Sequence, residues 1–151
     1  VLLGLLPEKA TLAGEDLAAF LGIPFPYLAK QLQALSRSGI VKARRGVAGG
    51  YRLNTNIDDL SLWDITASIE GTSPSFRCTE VRQNGPCGAP SSECSRPCFI
   101  AAAFRQAEAE FRESLASVKL TEIVVGVTGI ATKARKQEIN TWIEQHASIT
   151  Q

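Results

Sequence analysis

A chain of 151 residues with 44% hydrophobic residues and a formal net charge of +1 has the composition of an ordinary globular protein of one domain, or of one small domain with an appended element. The charge balance of the whole chain therefore says nothing about its partners. No apolar run approaches the roughly 20 residues of a membrane span, which argues against a membrane protein, and we expect a cytoplasmic one. The chain has no methionine and begins inside a short apolar stretch, so we expect its true N-terminus to be missing.

The positive charges are unevenly distributed along the chain. Between Asp16 and Asp58 the sequence contains no acidic residue. A local excess of cations of this kind is typical of a surface that binds a polyanion. The alternative is a solvated surface whose counter-charges come from elsewhere in the fold. The six cations of this stretch are Lys30, Arg37, Lys42, Arg44, Arg45 and Arg52.

The first part of the chain predicts two helices joined by a tight turn. Residues 1–6 are expected to be the end of a buried helix that Pro7 stops. Residues 11–22, TLAGEDLAAFLG, place apolar side chains at helical spacing and end on a glycine. Residues 23–39, IPFPYLAKQLQALSRSG, begin with two prolines, which suit the first turn of a helix and not its interior. Two short helices with a glycine-containing turn form a helix-turn-helix.

The next segment predicts a basic β-hairpin. Residues 40–45, IVKARR, are β-branched and basic, and residues 51–54, YRLN, also have strand character. The glycines of residues 46–50, GVAGG, supply the positive φ angles of a hairpin turn. A phosphate-binding loop of the Walker type needs Gly-Lys-Ser/Thr at a helix start, which this stretch lacks. A hairpin directly after a helix-turn-helix indicates a wing, and the alternative is a plain surface hairpin.

A capped helix and a long loop follow the hairpin. Residues 61–71 predict a helix in which Ser61 is the N-cap and Asp64 is its capping-box partner. Residues 72–98 are rich in Gly, Pro and Ser, contain all four cysteines and hold few residues that could build a core. A loop of this length inside a compact domain is usually functional.

The last part of the chain predicts two further helices. Residues 99–118 keep apolar side chains at intervals of three and four, a stripe that either contacts a partner helix or packs on its own domain. Residues 122–127, EIVVGV, are expected to be buried or to form a short strand. Residues 133–146 predict a terminal helix, with His146 at the surface. The stripe consists of Ile100, Ala103, Phe104, Ala107, Phe111, Leu115 and Val118. The docking face of the terminal helix is expected to be Ile139, Trp142 and Ile143.

The four cysteines lie within 21 residues of one polar loop, and none occurs elsewhere. Gaps of eight, six and three residues match poorly the paired knuckles of a structural zinc site. Disulfides would imply a secreted chain, which nothing else in the sequence indicates. An iron–sulfur cluster or a thiol redox switch tolerates irregular spacing, and neighbouring arginines would favour thiolates. A set of buried, unreactive thiols is the remaining alternative. The cysteines are Cys78, Cys87, Cys94 and Cys98, and the arginines are Arg77, Arg82 and Arg96.

The helix-turn-helix and the hairpin resemble a known family. Residues 23–53, IPFPYLAKQLQALSRSGIVKARRGVAGGYRL, closely resemble the helix-turn-helix and wing of the Rrf family, the IscR, NsrR and RsrR type of bacterial transcriptional regulators. Residues 61–71, the cysteine loop and the helix behind it also resemble that family, so the resemblance covers about residues 1–125. The specific features are Tyr27, Leu28, Leu32 and Leu35, followed by the wing motif Arg-Gly-x-x-Gly-Gly-Tyr at 45–51.

This resemblance implies a mainly α-helical fold with a small β-wing, in which a winged helix-turn-helix domain is joined to a long dimerisation helix. It also implies a homodimer, with the long helix crossing its symmetry mate, that binds double-stranded DNA at an inverted repeat. The expected organisation is a DNA-binding domain at 1–71, a cysteine-rich sensor loop at 72–98, a dimerisation helix with the following segment at 99–128, and a C-terminal helix and tail at 129–151.

The resemblance further implies which residues contact DNA. The recognition helix, about residues 26–37, would enter the major groove. Its side chains are expected to reach bases or phosphates, and the wing is expected to reach the adjacent backbone or the minor groove. Contacts to phosphates position the protein and do not specify sequence. The helix supplies Pro26, Tyr27, Lys30 and Gln31, and the wing supplies Lys42, Arg44, Arg45, Tyr51 and Arg52.

The resemblance also implies that the cysteine loop holds an iron–sulfur cluster, which reports on redox state, nitric oxide or iron–sulfur supply. By position, Cys78, Cys87 and Cys98 resemble the three family ligands, and Cys94 is an additional thiol and candidate ligand. The loop is most similar to the redox-sensing actinobacterial branch, which favours a [2Fe–2S] over a [4Fe–4S] cluster. In this family non-cysteine ligands can come from the N-terminal helix of the other subunit.

Two alternatives stay open at the level of the sequence. The first is a regulator without a cluster that is switched by thiol–disulfide chemistry or by a partner. The second is a thiol oxidoreductase, for which the sequence has no CxxC motif and no histidine near the loop.

Overall fold

The structure is a computed structural model that describes residues 1–46 and 49–149. This part of the chain is mainly α-helical and contains two antiparallel sheets of two strands each, which confirms the predicted class, mainly α with a small β-wing. No described helix is both long enough and apolar enough to cross a bilayer. In chain order the elements are a 3-10 helix at Leu2–Leu5, strand β1 at Ala10–Thr11, helices α1 at Gly14–Leu21 and α2 at Phe25–Arg37, strands β2 at Val41–Arg44 and β3 at Gly50–Leu53, helix α3 at Leu62–Glu70, 3-10 helices at Val81–Gln83 and Ser91–Cys94, helices α4 at Phe99–Ser117, α5 at Leu120–Ile130 and α6 at Lys133–His146, and strand β4 at Ser148–Ile149.

The helix-turn-helix forms where its glycines and prolines predict it. Helix α1 ends at Gly22, whose left-handed φ of 66° lets its N–H reach back to the carbonyl of Ala19. Helix α2 has Pro24 as its N-cap and Pro26 in its first turn, where a missing N–H removes no helical hydrogen bond. The apolar side chains that join the two helices in the core include Leu17, Leu28 and Leu32.

The predicted wing is a hairpin of β2 and β3. The strands pair antiparallel, with Val41 opposite Leu53. Val41 is buried at the base of the hairpin, and the other three residues of β2 are exposed. The turn predicted at 46–50 includes Val47 and Ala48, which lie outside the described residues.

One backbone bridge ties the wing to the helix-turn-helix. The N–H of Tyr51 donates to the carbonyl of Leu12 at 2.7 Å, and the N–H of Leu12 donates to the carbonyl of Tyr51 at 3.0 Å. Leu12 is fully buried. Gly50 precedes the bridge with a φ of 153°, and a Cβ at that position would lie 2.4 Å from the carbonyl oxygen of Leu12. Only glycine therefore allows the strand to come so close.

The C-terminal helix α6 packs on the helix-turn-helix. Trp142 of α6 packs against Phe20 of α1 with ring centroids 4.8 Å apart, and strand β4 then pairs with β1. Ile143 is buried, and Ile139 packs against the core, which confirms the predicted docking face. His146, predicted at the surface, is half-buried because its ring stacks on Trp142 at a centroid distance of 4.2 Å.

Helix α3 begins with the capping box that the sequence predicts. The N–H of Asp64 donates to Ser61 Oγ at 3.2 Å, while the hydroxyl and the N–H of Ser61 donate to one carboxylate oxygen of Asp64 at 2.6 and 2.8 Å. These hydrogen bonds hold the pKa of Asp64 below its usual range. Next to the cap, the N–H of Leu62 donates to the carbonyl of Val118 at 3.0 Å, which joins the start of α3 to the end of α4.

Residues 122–127 belong to helix α5, so the predicted short strand is wrong. Their β-branched side chains favour strands by propensity. However, Glu122 accepts the N–H of Lys119 at 3.3 Å, which stabilises a helix start. Val124 is 8% exposed, whereas Val125 and Val127 are 62% and 48% exposed, so only one of the valines is buried. A strand would have buried alternate residues, and the expected burial of the segment holds only for Val124 and its immediate surroundings.

The segment before Pro7 is a 3-10 helix and not the end of an α-helix. It has only four residues, and the chain becomes extended at Leu6, in accord with the restriction that a following proline imposes. Leu2 is buried in the core, so the expected burial of this segment is confirmed at one position.

Helix α4 covers the predicted range to within one residue. Much of its apolar stripe is exposed to solvent. Ile100, Phe104 and Phe111 are 57%, 52% and 55% exposed, and Phe99 is 87% exposed. Phe76 of the loop stacks on Phe104, with ring centroids 4.4 Å apart. Large apolar side chains grouped on one face mark an interaction surface more often than a solvated one. Packing onto its own domain therefore does not account for most of the stripe.

We expect Gly50→Ala to destabilise the protein more than Gly22→Ala does. Both glycines have a positive φ, but only at Gly50 would a Cβ meet backbone atoms. A positive φ alone costs an alanine about 1–2 kcal/mol, and the contact with Leu12 adds strain at position 50. Urea unfolding followed by circular dichroism gives both free energies of unfolding. Equal losses would contradict the close approach of the two backbones.

Candidate nucleic-acid interface and cysteine loop

Helix α2 exposes most of the side chains that the sequence predicts to contact DNA. Leu28 and Leu32 are buried and share the face toward the core, because residues four apart lie on the same side of a helix. Tyr27 is 59% exposed, so its ring is available to a partner. Of the four predicted residues of this helix, Pro26, Tyr27 and Lys30 are exposed and Gln31 is half-buried.

The wing collects cations on one of its faces. Lys42 lies opposite Arg52 in the hairpin register, and Arg44 follows Lys42 by two residues, so these side chains share one face. Like charges in opposing positions are unfavourable in an isolated hairpin, and a bound polyanion reverses the sign of that contribution. Arg45 is exposed directly after β2. The hairpin therefore presents a basic surface next to the exposed face of α2.

Tyr51, which the sequence predicts to contact DNA, also packs inward. It lies opposite Ala43 in the register and its ring is half-buried against the core. A Cβ at Gly14 would lie 3.2 Å from the Tyr51 ring and 2.5 Å from the Phe25 ring. The ring of Tyr51 therefore anchors the wing to the helices, while the cations occupy the exposed face.

The four cysteines lie in an open loop and do not surround a common centre. Cys78 and Cys87 are exposed, Cys94 and Cys98 are half-buried, and all four are free thiols. Within 1–46 and 49–149, no three His, Cys, Asp or Glu side chains are grouped as in a metal site. The chemistry of this donor set nevertheless fits an iron–sulfur cluster, because thiolates are soft ligands that iron–sulfur centres use. Binding a cluster would require the loop to close around it.

Arg82 joins two parts of the cysteine loop. Its guanidinium donates two hydrogen bonds to the carboxylate of Glu80, at 2.5 and 2.9 Å, and one to the carbonyl of Arg96 at 3.1 Å. The pair raises the pKa of Arg82 and lowers the pKa of Glu80. One side chain therefore connects the first 3-10 turn of the loop to the segment that leads into α4.

Cys98 is the N-cap residue of α4. Its thiol pKa is lowered mainly by hydrogen bonds from the backbone N–H groups of Ala101 and Ile100, with a smaller attraction from Arg82. Partial burial and the charge of Glu80 act in the opposite direction. The sequence pointed to arginines as the cause, and the larger cause is the start of the helix. The only sequence signal for it is the position of the cysteine directly before a predicted helix.

Residues that the sequence analysis did not single out fasten the first part of the loop to α4. Glu108 accepts the N–H of Ser75 at 3.3 Å and a hydrogen bond from Arg112 at 2.6 Å. Arg112 also donates to the carbonyl of Thr72 at 3.0 Å, and its guanidinium carbon lies 5.0 Å from the centre of the Trp63 ring. The spacing of Glu108 and Arg112 by four residues is the one signal in the sequence that could have revealed this contact.

A helix-turn-helix followed by a basic hairpin, with a long helix beyond it, defines the class of winged helix-turn-helix transcriptional regulators. The sequence model of the Rrf2 family, described as iron-dependent transcriptional regulators, matches residues 1–126, and the chain belongs to that family. The predicted family is therefore confirmed. Because the family and its named members are regulators, the prediction that the protein is not an enzyme is also confirmed.

Two named relatives show the extent of the similarity. The putative HTH-type transcriptional regulator YffB of Lactococcus lactis is 30% identical over 123 residues, which cover 82% of this chain and 78% of that protein. The HTH-type transcriptional repressor NsrR of Streptomyces coelicolor is 28% identical over 118 residues, which cover 78% of this chain and 74% of that protein.

Solved structures share the fold at low sequence identity. IscR of T. potens superposes with a TM-score of 0.59 at 20% identity, covering 82% of this chain and 76% of that one. CymR of B. subtilis, described as its global cysteine regulator, superposes with a TM-score of 0.56 at 22% identity, covering 81% of this chain and 83% of that one.

In metal-free protein, we expect Cys98 to react with iodoacetamide at a lower pH than an ordinary thiol, whose pKa is about 8.5, because the start of α4 and Arg82 stabilise its thiolate. Arg82→Gln should move the pH profile upward without restoring the ordinary value, since the backbone donors remain. Mass spectrometry of the Cys98 peptide after brief labelling at a series of pH values measures the profile. Arg77→Gln is the matched control and should leave it unchanged. An ordinary profile in the unmutated protein would contradict the assignment.

Proposed function

We propose that this Rrf2-family regulator acts in the cytoplasm as a homodimer that binds an inverted-repeat DNA operator, and that an iron–sulfur cluster in the cysteine loop controls the binding. The cluster would report on redox state, nitric oxide or iron–sulfur supply. The observation that carries the proposal is that four free thiols occur in one loop, which is fastened to a long helix with an exposed apolar face. A change in the loop can therefore act on the helix that we assign to the dimer.

DNA binding is assigned to α2 and to the wing. The exposed face of α2 enters the major groove, and the cations of the wing contact the adjacent backbone or minor groove. Two copies related by a twofold axis would read half-sites about one or two helical turns apart. The proposed contacts are Pro26, Tyr27, Lys30 and Gln31 of the helix, and Lys42, Arg44, Arg45, Tyr51 and Arg52 of the wing.

The dimer is assigned to the open stripe of α4. Ile100, Phe104 and Phe111 are separated by four and seven residues, about one and two helical turns, and stay more than half exposed in the single chain. A twofold dimer buries the same patch of both copies, so the stripe of one α4 would pack on the stripe of the other. The cysteine loop, which leads directly into α4, would then lie beside this interface.

Cys78, Cys87 and Cys98 are the proposed cluster ligands, with Cys94 as a further candidate, and [2Fe–2S] is favoured over [4Fe–4S]. When bound, the cluster supplies a centre that exchanges electrons and reacts with nitric oxide. Residues of the chain would provide the ligands and hold them in position. Cys98 offers a stabilised thiolate at the start of α4, and Arg82 holds the two parts of the loop that carry the cysteines close to each other.

Protein purified without oxygen should be coloured and should contain iron and sulfide. Cys78→Ser, Cys87→Ser and Cys98→Ser should each abolish the chromophore, because each removes a proposed ligand, whereas Cys94→Ser should retain it. Visible absorption with iron and sulfide assays measures the outcome, and the band shape separates the two cluster types. A colourless, iron-free protein that still binds DNA would exclude the cluster.

A second candidate is a regulator without a cluster that is switched by its thiols. The stabilised thiolate of Cys98 favours it, because a thiolate is the form that attacks an oxidised sulfur. Two thiols would form a disulfide by giving two electrons and two protons to an oxidant such as diamide. Diamide would then change the DNA affinity of iron-free protein, and dithiothreitol would reverse the change.

Substitutions in the wing and in α2 should affect DNA binding differently. Arg45→Ala should weaken binding to all sequences and reduce the salt slope by about 1, because it removes a phosphate contact. Lys30→Ala should relax the choice of base at one position of each half-site, at a cost of about 1–3 kcal/mol. Fluorescence anisotropy at several salt concentrations, with an operator selected from random DNA, measures both. Arg135→Ala, an exposed arginine of α6, is the control, and an equal loss there would contradict the assignment of the wing.

A further inference from the structure

Arg112 lies where the cysteine loop, helix α4 and helix α3 meet. It donates to the carbonyl of Thr72, the second residue after α3, and forms an ion pair with Glu108 one turn earlier on α4. Its guanidinium carbon lies 5.0 Å from the centre of the Trp63 ring, a cation–π contact with α3. A planar guanidinium can stack with its face and donate with its edge at the same time, which an ammonium group cannot.

On the side of the loop, Glu108 extends this contact. The carboxylate oxygen that accepts from Arg112 also accepts the N–H of Ser75. Phe76, the next residue, stacks on Phe104 of α4 with an angle of 9° between the rings. The segment that leads to the first cysteine is therefore fixed to α4 by both polar and aromatic contacts, and its position depends on the path of the loop.

On the side of the DNA-binding domain, Trp63 belongs to a helix that packs on the recognition helix. Ile65 of α3 contacts the same core as Leu28 and Leu32 of α2. The start of α3 is also joined to the end of α4 by the backbone hydrogen bond of Leu62. Because α3 packs on α2, a rotation of α3 about this junction would be transmitted to α2.

The contacts of Arg112 leave one donor unused. Its Nε is buried and has no hydrogen-bond partner among the described residues. A buried donor without an acceptor is unfavourable, particularly on a charged group. A rearrangement of the loop that gave Nε an acceptor would remove this cost, which is the kind of difference that can separate two states of a switch.

We propose that Arg112 is the positioning residue through which the state of the cysteine loop changes the orientation of the DNA-binding domain. This inference rests on the proposed sensing function. In the arrangement seen here, Thr72 and Glu108 hold the guanidinium over Trp63. When the loop rearranges, the carbonyl of Thr72 moves, the guanidinium leaves the ring, and α3 with α2 turns relative to α4.

The fluorescence of Trp63 tests this contact without DNA. The chain has two tryptophans, so Trp142→Phe leaves Trp63 as the only indole. In iron-free protein the loop cysteines are free thiols, and N-ethylmaleimide alkylates them and so changes the loop. We expect alkylation to shift the emission of Trp63, and Arg112→Gln to remove the shift. If Trp142→Phe does not fold, the difference between the unmutated chain and Trp63→Phe gives the same signal.

The ratio of DNA affinities before and after alkylation is the second readout. Coupling between two sites is typically about fivefold or more, and we expect Arg112→Gln to reduce the ratio to less than about twofold. Arg112→Lys keeps the charge but loses the planar fork, so it should behave like Arg112→Gln. Arg105→Gln, an exposed arginine of the same helix, is the matched control and should keep the full ratio. Thermal melts by circular dichroism show that the variants fold.

Loss of the Trp63 shift and of the affinity ratio in folded Arg112→Gln would support the proposal. An unchanged shift or ratio in that variant, or no Trp63 shift in the unmutated chain, would overturn it. Failure of the proposed function is recognised separately. A protein that contains no iron would contradict the proposed cluster, and a selection that enriches no DNA sequence would contradict the proposed operator. In either case the emission of Trp63 still tests the role of Arg112.

Discussion

The backbone bridge between Leu12 and Tyr51 is the contact on which the rest of the structure depends. It joins the wing to the chain segment that precedes α1, and the same segment pairs with the C-terminal strand β4. The basic hairpin is therefore fixed to the segment that leads into α1, and α1 packs on α2. The absence of a side chain at Gly50 allows this approach, so the position of the wing is set by a constraint on the backbone.

The cysteine loop is held to the rest of the chain much less firmly than the wing is. None of residues 72–98 is fully buried, and the loop is held by a small number of polar contacts and one aromatic stack. The contacts of Arg82 lie within the loop, and those of Glu108 and Arg112 fasten it to α4. A segment held in this manner can rearrange at small cost, as the proposed sensing function requires.

Much of the fold could be predicted because its boundaries depend on local chemistry. Gly22, Pro24 and the Ser61–Asp64 box each act on neighbours within four residues, and the helices begin and end where they indicate. The sequence did not predict helix α5, because its β-branched residues favour a strand by propensity. Contacts with residues distant in the sequence determine that this segment is a helix. The candidate site also has parts that local sequence reveals and parts that it does not. Exposed cations and cysteines are visible in the sequence, but the contact of Arg112 with Trp63 joins residues 49 positions apart, which no local pattern records.

The pairing of β4 with β1 has a consequence for how this protein can change over evolutionary time. The family model ends at residue 126, and strand β4, which pairs with β1, lies beyond that residue. A segment outside the shared region would ordinarily accumulate substitutions freely. Here it contributes a strand and a buried isoleucine to the module that carries the wing. The C-terminal tail is therefore part of the structure that positions the wing, and the contact with β1 limits which substitutions it can accept without loss of that pairing.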